Sequence, residues 1–508
     1  MVLQTITVDS NVSLIFEEDT MRLSRRAFLK DIGLTAAAIS TLSIDGCRAT
    51  AGRADKGGQK PNIIYILADD LGYGDLGCFG QKKIKTPNLD RMAAEGLRLT
   101  QHYAGSTVCA PSRCCLMTGK HTGHCTVRGN VDFLIEPDEL TVAKALKQAG
   151  YSTACIGKWG IGHPTPPVGP QSPHDNGFDH FFGYLSMWHA HNYYPDFLWK
   201  DGRKVPLRNV VRHPKKHYKP GQESLVGLAS EKVEYSHDLF SQAALEYIEQ
   251  QDGPFFLYIP YTIPHANNEA SLYNEHGMEV PDYGIYADED WPEPEKGKAA
   301  MISRLDGDVG RILAKLKQLG IDDNTLVIFS SDNGPHKEGG ISPDFFDSNG
   351  PLRGTKRALY EGGIRVPTIA RWPGKVAAGG DCDHISAFWD VLPTFAELAG
   401  APEPQGIDGI SFAPALLGRP QRKHEYLYWE FHEGGSSKQA IRMGDFKAVR
   451  LAPSQPVELY NLTTDIGEDN NIAAKHPDIA AKATEIIEKS RNGADIWPLK
   501  DGTKKKPA

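Results

Sequence analysis

The chain has 508 residues, 40% apolar and 24% charged, with a formal net charge of −8. That length exceeds one small domain and can bury a large core, and the composition is that of a globular α/β protein. An acidic balance argues against nucleic acid, whose partners carry a basic face.

The first element is not part of the fold. "LSRRAFLKDIGLTAAAISTLSIDGC" sets Arg25 and Arg26 before an apolar run from Ile32 to Ile44. A basic region before so short an apolar stretch is expected to be a leader rather than a permanent membrane span. "SRRAFLK" resembles the twin-arginine export signal of bacteria. Residues 1–47 are therefore assigned to a signal peptide and 48–60 to a linker, which implies a periplasmic or secreted protein. Cys47 closes "LSIDGC", similar to a weak lipoprotein box, so lipid anchoring at Cys47 is an open alternative.

Four apolar runs follow, and each stops at polar chemistry. "PNIIYILADD" ends in Asp69 and Asp70, "YSTACIGKWG" reaches Lys158, "PFFLYIPYTIPH" reaches His265, and "NTLVIFSSDNGP" ends in Asp332 and Asn333. Continuous runs of this length predict strands buried on both faces. Helical segments at Thr141–Gln148, Leu239–Glu249 and Met301–Leu319 alternate with them. The pattern predicts an α/β fold with a large, mostly parallel sheet and helices on both faces. Ligands of such sheets sit beyond the carboxyl ends of the strands, which gathers these six residues at one edge. Three carboxylates and an amide oxygen there form a hard, oxygen-rich site suited to Ca²⁺, with Mg²⁺ second. Each feature alone has a plainer reading, since "DD" can cap a helix and "DNG" is a common turn.

"STVCAPSRCCLMTGK" places Cys109 two residues before Pro111 and four before Arg113. Pro111 suits the first turn of a helix, so Cys109 is expected at the helix N-terminus, where free N–H groups favour an anion. A nucleophile beside an anion cradle and a divalent cation points to phosphoryl or sulfuryl transfer. "CAPSR" resembles the C-x-P-x-R signature of type I sulfatases, members of the alkaline phosphatase superfamily, whose cysteine is oxidised to formylglycine. "NIIYILADDLGYGDLGCFG", "GKWGIG", "SDNGP" and "RGTKRALYEGGIRVPTIARWPG" continue the likeness in the family's order, from about Pro61 to about Gly418.

The resemblance implies an arylsulfatase-like sulfuric ester hydrolase. Modified Cys109 would be the nucleophile and form a covalent sulfo-enzyme. Asp69, Asp70, Asp332 and Asn333, with an oxygen of modified Cys109, would hold Ca²⁺. Arg113 would stabilise the nucleophile, Lys158 and Lys356 would grip the sulfate, and His265 would help protonate the leaving alcohol. A formylglycine-generating enzyme would mature the protein before the twin-arginine machinery exports it folded. The family often has "GKWHLG", whereas here Gly160 stands at the histidine, which leaves the base of the release step open, with His163 one candidate. A phosphonate monoester or phosphodiester hydrolase of the same superfamily, and a non-catalytic glycan-binding relative, are the alternatives.

The aromatic segment "GFDHFFGYLSMWHAHNYYPDFLWKDG" is expected to wall the substrate, with Trp188, His189, His191 and Tyr193 contacting a sulfated sugar or aryl group. The basic loop "RHPKKHYKPG" would suit a polyanionic glycan. These features and the motif span assign 61–420 to the catalytic domain. Within 421–508, the short alternating runs "EYLYWEF", "QAIRMGDFKAVRL" and "VELYNLTTD" predict an antiparallel meander, and "HPDIAAKATEIIEKSR" a helix.

Overall fold

The computed structural model describes residues 59–130, 134–161, 172–214, 225–492 and 495–502. The leader, the linker, Cys47, His163, most of "RHPKKHYKPG" and the last six residues of the basic tail lie outside the described residues. The main sheet comprises, in chain order, β1 (Asn62–Ala68), β2 (Leu97–Leu99), β3 (Ser152–Lys158), β4 (His180–Tyr184), β5 (Phe197–Lys200) and β6 (Arg203–Pro206). It continues with β7 (Phe255–Pro260), β8 (Thr325–Ser331), β9 (Ile369–Arg371) and β10 (Gly380–Cys382).

Side chains alternate across a strand, and here both faces are covered. In β1, Ile63, Tyr65 and Leu67 enter one apolar core while Ile64, Ile66 and Ala68 enter the other. β7 and β8 divide in the same way, with Phe256, Tyr258, Leu326 and Ile328 on the first side and Leu257, Ile259, Val327 and Phe329 on the second. Each such fully buried side chain contributes about 1.5–3 kcal/mol. The first face is covered by α2 (Cys109–Thr118), α3 (Val142–Gln148) and α6 (Val391–Ala399). On the second lie α1 (Pro87–Ala94), α4 (Ser236–Glu249) and α5 (Glu293–Leu319).

The sheet order is β10-β2-β9-β8-β1-β7-β3-β4-β5-β6. Its centre, β8-β1-β7-β3-β4, is parallel, and antiparallel pairs occur only toward the two edges. Thr141 caps α3, its side chain accepting from the Lys144 N–H at 3.2 Å. Helix α5 starts two turns before the apolar periodicity that marks it in the sequence, at Glu293 instead of Met301. Its first turns bury Lys298, which pairs with Asp75 at 3.1 Å and donates to the Ser348 hydroxyl at 2.5 Å. A charge hidden by a distant partner breaks the pattern that periodicity can read.

The predicted meander forms as β11 (Leu427–Glu433), β12 (Ser436–Met443), β13 (Phe446–Arg450) and β14 (Glu458–Asn461), an antiparallel four-stranded sheet. Helix α7 (Pro477–Lys489) presses Ala483 and Ile487 onto Tyr428, Ile441 and Leu459. Buried ion pairs tie this sheet to the main body: Lys447 to Glu361 at 2.9 Å, and Arg128 to Glu430 at 2.8 Å.

Candidate active site

The register of the parallel strands assembles the site. Ala68 of β1 lies opposite Ser331 of β8, so Asp69–Asp70 and Asp332–Asn333 leave the sheet side by side. Leu67 pairs with Pro260, which brings the loop to His265 alongside, and β3 delivers Lys158 from the next position but one. The Asp69 N–H donates to Ile263 O at 3.2 Å and the Asp332 N–H to Ala68 O at 3.1 Å, which fixes the three strand exits together. Asp70 adopts φ 65°, a left-handed conformation that a non-glycine residue holds only under local constraint. The constraint is visible: its N–H donates to Asp332 Oδ1 at 3.1 Å, and its Oδ1 accepts from Asn333 Nδ2 at 2.6 Å.

Three carboxylates face three cations, all buried. Lys158 Nζ lies 2.6 Å from Asp69 Oδ2. Arg113, reaching from the first turns of α2, grips Asp332 Oδ2 through Nε at 3.0 Å and Nη2 at 2.8 Å, with Asp69 at 3.3 Å. Lys356 Nζ lies 2.7 Å from Asp70 Oδ2, 3.0 Å from His265 Nε2 and 3.3 Å from Glu338 Oε2. Burial acts against every one of these charges, and the partners decide the outcome. Burial alone would raise Asp69; the surrounding cations, Lys158 first and Arg113 with it, outweigh it and hold the carboxyl low. At Asp332 burial wins, reinforced by the neighbouring Asp69, and the carboxyl is pushed up. Lys158 and Lys356 are raised despite burial, by Asp69 and by Asp70. Glu338 is held at about 2, Lys356 outweighing its burial.

Two buried oxygens in this cluster have no hydrogen-bond partner, Asp69 Oδ1 and Asn333 Oδ1. An orphaned buried acceptor costs about 1–3 kcal/mol, and two of them beside mutually repelling carboxylates fit a hard divalent cation. Asp69, Asp70, Asp332 and Asn333 are the oxygen donors that would hold it.

Cys109 is the first residue of α2, after Val108 in extended conformation, so it meets the unpaired N–H groups of the helix start. Burial raises its thiol, partly offset by Lys158. Its Sγ lies 3.9 Å from Asn130 Oδ1. His265 donates from Nδ1 to Ala266 O at 2.7 Å, which leaves Nε2 as the acceptor facing Lys356. Burial and then Lys356 push its imidazole well below the ordinary range, so it is neutral here.

The chain that carries this assembly is similar to known proteins. A sequence profile of the family described as Sulfatase matches residues 61–401. The chain belongs to the sulfatase family. A second profile, described as N-sulphoglucosamine sulphohydrolase, C-terminal, matches residues 354–492. Human arylsulfatase A is 33% identical over 479 residues, covering 85% of this chain and 86% of the relative. N-acetylgalactosamine-6-sulfatase of Canis lupus familiaris is 33% identical over 408 residues, covering 77% and 72%. Among solved structures, Ps i-CgsB in complex with k-i-k-neocarrahexaose superposes with a TM-score of 0.72 at 29% identity, covering 88% of this chain and 96% of that one. This sulfatase is thus a sulfuric ester hydrolase with the α/β fold of its relatives.

The four aromatic-segment residues of the sulfatase separate. The segment contains β4 and β5, and the four residues lie between these strands. His191 reaches the site: its ring stacks on His265 with centroids 5.2 Å apart, and Glu269 holds its Nδ1 at 3.2 Å. Trp188 packs edge-on against His191 at 5.8 Å. The expectation of substrate contact is corrected for His189, which is 1% exposed among Tyr184 and Phe197, and burial holds its imidazole at about 3. Tyr193 is also buried, and its hydroxyl donates to Thr262 O at 2.9 Å and to His265 O, so it holds the His265 loop instead of lining a substrate wall.

Sequence reasoning missed Asn130, Glu338 and His336. His336 also stacks on His265, with centroids 5.6 Å apart, and donates from Nε2 to Pro264 O at 3.0 Å. "DNGPHKE" carries both His336 and Glu338 within six residues of Asp332, and that proximity was the available signal. Asn130 had none, because only the fold returns its loop to Cys109. Gly160 sits at φ +75°, and a Cβ there would lie 3.3 Å from Arg113 Cδ and 3.4 Å from Lys158 Cε. A side chain at this position would enter the cationic cradle itself.

Proposed function

We propose that this sulfatase hydrolyses sulfate esters on a sulfated carbohydrate, with formylglycine made from Cys109 and with Ca²⁺ held by Asp69, Asp70, Asp332 and Asn333. The observation that carries the reading is the cationic cradle of Arg113, Lys158 and Lys356 around Cys109 at a helix N-terminus, next to two orphaned buried oxygens. The cation would supply charge neutralisation and polarisation of a sulfate oxygen. Formylglycine would supply a hydrated aldehyde, whose second hydroxyl lets the enzyme release sulfate without a hydrolysis-resistant ester.

The chain's own residues do the rest. Lys158 and Lys356 bind sulfate oxygens, exchanging part of their contact with Asp69 and Asp70 for the incoming anion. Arg113, locked on Asp332, keeps a fixed positive charge beside position 109. The proton for the leaving alcohol is held between Lys356 Nζ and His265 Nε2, and His191 and His336 both stack on that ring. The sugar preference is supported by the neocarrahexaose bound to Ps i-CgsB and by the galactosamine sulfate named for the canine relative. Export through the twin-arginine pathway, after cytoplasmic conversion of Cys109, belongs to the same proposal and rests on Arg25, Arg26 and the apolar run that follows.

Mass spectrometry of the tryptic peptide Leu99–Arg113 from native-host protein, with paired rates on sulfate and phosphonate esters, tests the reading. Loss of sulfur and gain of a carbonyl oxygen at Cys109, with sulfate esters turned over faster, is expected. An intact thiol in active protein, or a preference for phosphonate, overturns it.

A further inference from the structure

Among the described residues, most of those other than glycine that hold a left-handed backbone are aspartate or asparagine, which tolerate it best. Arg357, at φ 75°, is neither, and it directly follows Lys356. A long side chain in this region costs stability, so contacts must hold it there. The Arg357 N–H donates to Thr107 O at 3.0 Å, and the Thr107 hydroxyl donates to Ala358 O at 2.8 Å. Lys438 Nζ, from β12, donates to Arg357 O at 3.1 Å. The strained turn therefore ties the Lys356 segment both to the stretch that leads into Cys109 and to the C-terminal sheet.

The side chain is held as closely as the backbone. Its Nη1 donates to Glu338 Oε1 at 2.6 Å, and its Nε lies 2.9 Å from Oε2 of Glu433, the last residue of β11. The other oxygen of Glu338 faces Lys356 Nζ at 3.3 Å, and Lys356 Nζ lies 3.0 Å from His265 Nε2. Alternating charges thus run from the C-terminal sheet into the sulfate cradle: Glu433, Arg357, Glu338, Lys356. An ammonium has three donors. With Asp70 and Glu338 taking two of them, the third is aimed at His265. Glu338 needs an anchor of its own to do this, because it shares its sign with Asp70 and is 24% exposed to water. Arg357 is that anchor.

We propose that Arg357 is a positioning residue for sulfate ester cleavage: through Glu338 it aims Lys356 at His265, so that the leaving oxygen takes its proton as its bond to sulfur breaks. The proposal rests on the sulfatase reading and deepens it, since it gives the C-terminal sheet a part in catalysis through Glu433 and Lys438.

The test uses the matured enzyme and aryl sulfates whose phenols span a range of acidity. The readout is kcat/KM, which covers the steps up to departure of the phenol. Strongly acidic phenols leave with little help, whereas weakly acidic ones need the proton. Arg357→Gly removes the guanidinium and puts at φ 75° a residue that adopts it freely, which separates the side chain's role from the backbone strain. It is expected to lower kcat/KM about tenfold or more for the least acidic phenols and about twofold for the most acidic. Glu433→Ala, on the C-terminal sheet, is expected to give the same tilt in smaller measure. Adding Arg357→Gly to Glu338→Gln is expected to lower the rate no further than Glu338→Gln alone, because Arg357 acts through that carboxylate. No loss, an equal loss across all the phenols, or losses that add in the double variant overturns the proposal. A wild type that turns over no sulfate ester would overturn the sulfatase reading instead. The crystal structure of Arg357→Gly then still decides the linkage: Glu338 drawn away from Lys356 supports it, and the 3.3 Å contact unchanged refutes it.

Discussion

Replacing Lys356 by methionine removes the cation that lies between Asp70 and Glu338, and the consequence should depend on the metal. Lys356 Nζ lies 2.7 Å from Asp70 Oδ2 in a site where the lysine side chain is 3% exposed and the aspartate 0%. At an effective dielectric of about 20 that separation corresponds to an attraction of about 6 kcal/mol. Desolvation opposes it, and breaking a buried pair from one side costs about 3–5 kcal/mol net. The variant leaves Asp70 and Glu338 facing each other across the gap, so this cost should appear in full in protein stripped with a chelator. A bound dication restores charge beside Asp70, and the cost should fall to less than half. The activity effect runs the other way, because a cation on a transferring group is worth about 10²–10³ in rate and the metal does not replace it there. Denaturant unfolding of wild type and Lys356→Met, with chelator and with Ca²⁺, measures the first quantity; kcat and KM on an aryl sulfate measure the second. Equal destabilisation with and without Ca²⁺ would refute the reasoning, since it would mean that the cation does not share Asp70 with the lysine.

Four further perturbations have expected outcomes. Chelation should abolish turnover and lower the thermal midpoint, and Asp332→Asn should weaken Ca²⁺ affinity, read by titration, while also loosening Arg113, whose Nε and Nη2 both rest on that carboxylate. His189→Phe should leave activity on sulfated sugars intact and stabilise the protein by about 1–3 kcal/mol, since both ring nitrogens are buried without partners. The same variant should flatten part of the acid limb: a histidine held at about 3 in the fold and near 6.5 when unfolded takes up a proton only on unfolding, so relative to its state above 6.5 it costs stability in acid. That cost grows as pH falls between the two. A loss of oligosaccharide activity in His189→Phe would restore it to the substrate wall. Tyr193→Phe removes the hydroxyl that ties Thr262 O and His265 O. It should lower kcat with little change in KM, and unchanged kcat would show that the loop needs no such tether.

Much of the site was legible before any coordinates, for a physical reason. A parallel strand buried on both faces must be apolar throughout, so the first polar residue after the run marks its carboxyl end. Parallel packing then brings all such ends to one edge. Asp69, Asp70, Lys158, Asp332 and Asn333 were readable on that rule, and "CAPSR" supplied the cysteine and arginine of a helix start. What the sequence could not decide are contacts between segments that only folding brings together. Lys298 is a helix residue that looks solvent-facing until Asp75 and Ser348 bury it. His189 and His191 are two positions apart and chemically alike, yet one fills the core and the other stacks on His265. Asn130 reaches Cys109 only because the chain after α2 folds back. Local pattern records which residues are apolar and in what rhythm; which polar atom meets which is set by the packing of segments tens to hundreds of residues apart, and only the tertiary structure holds that.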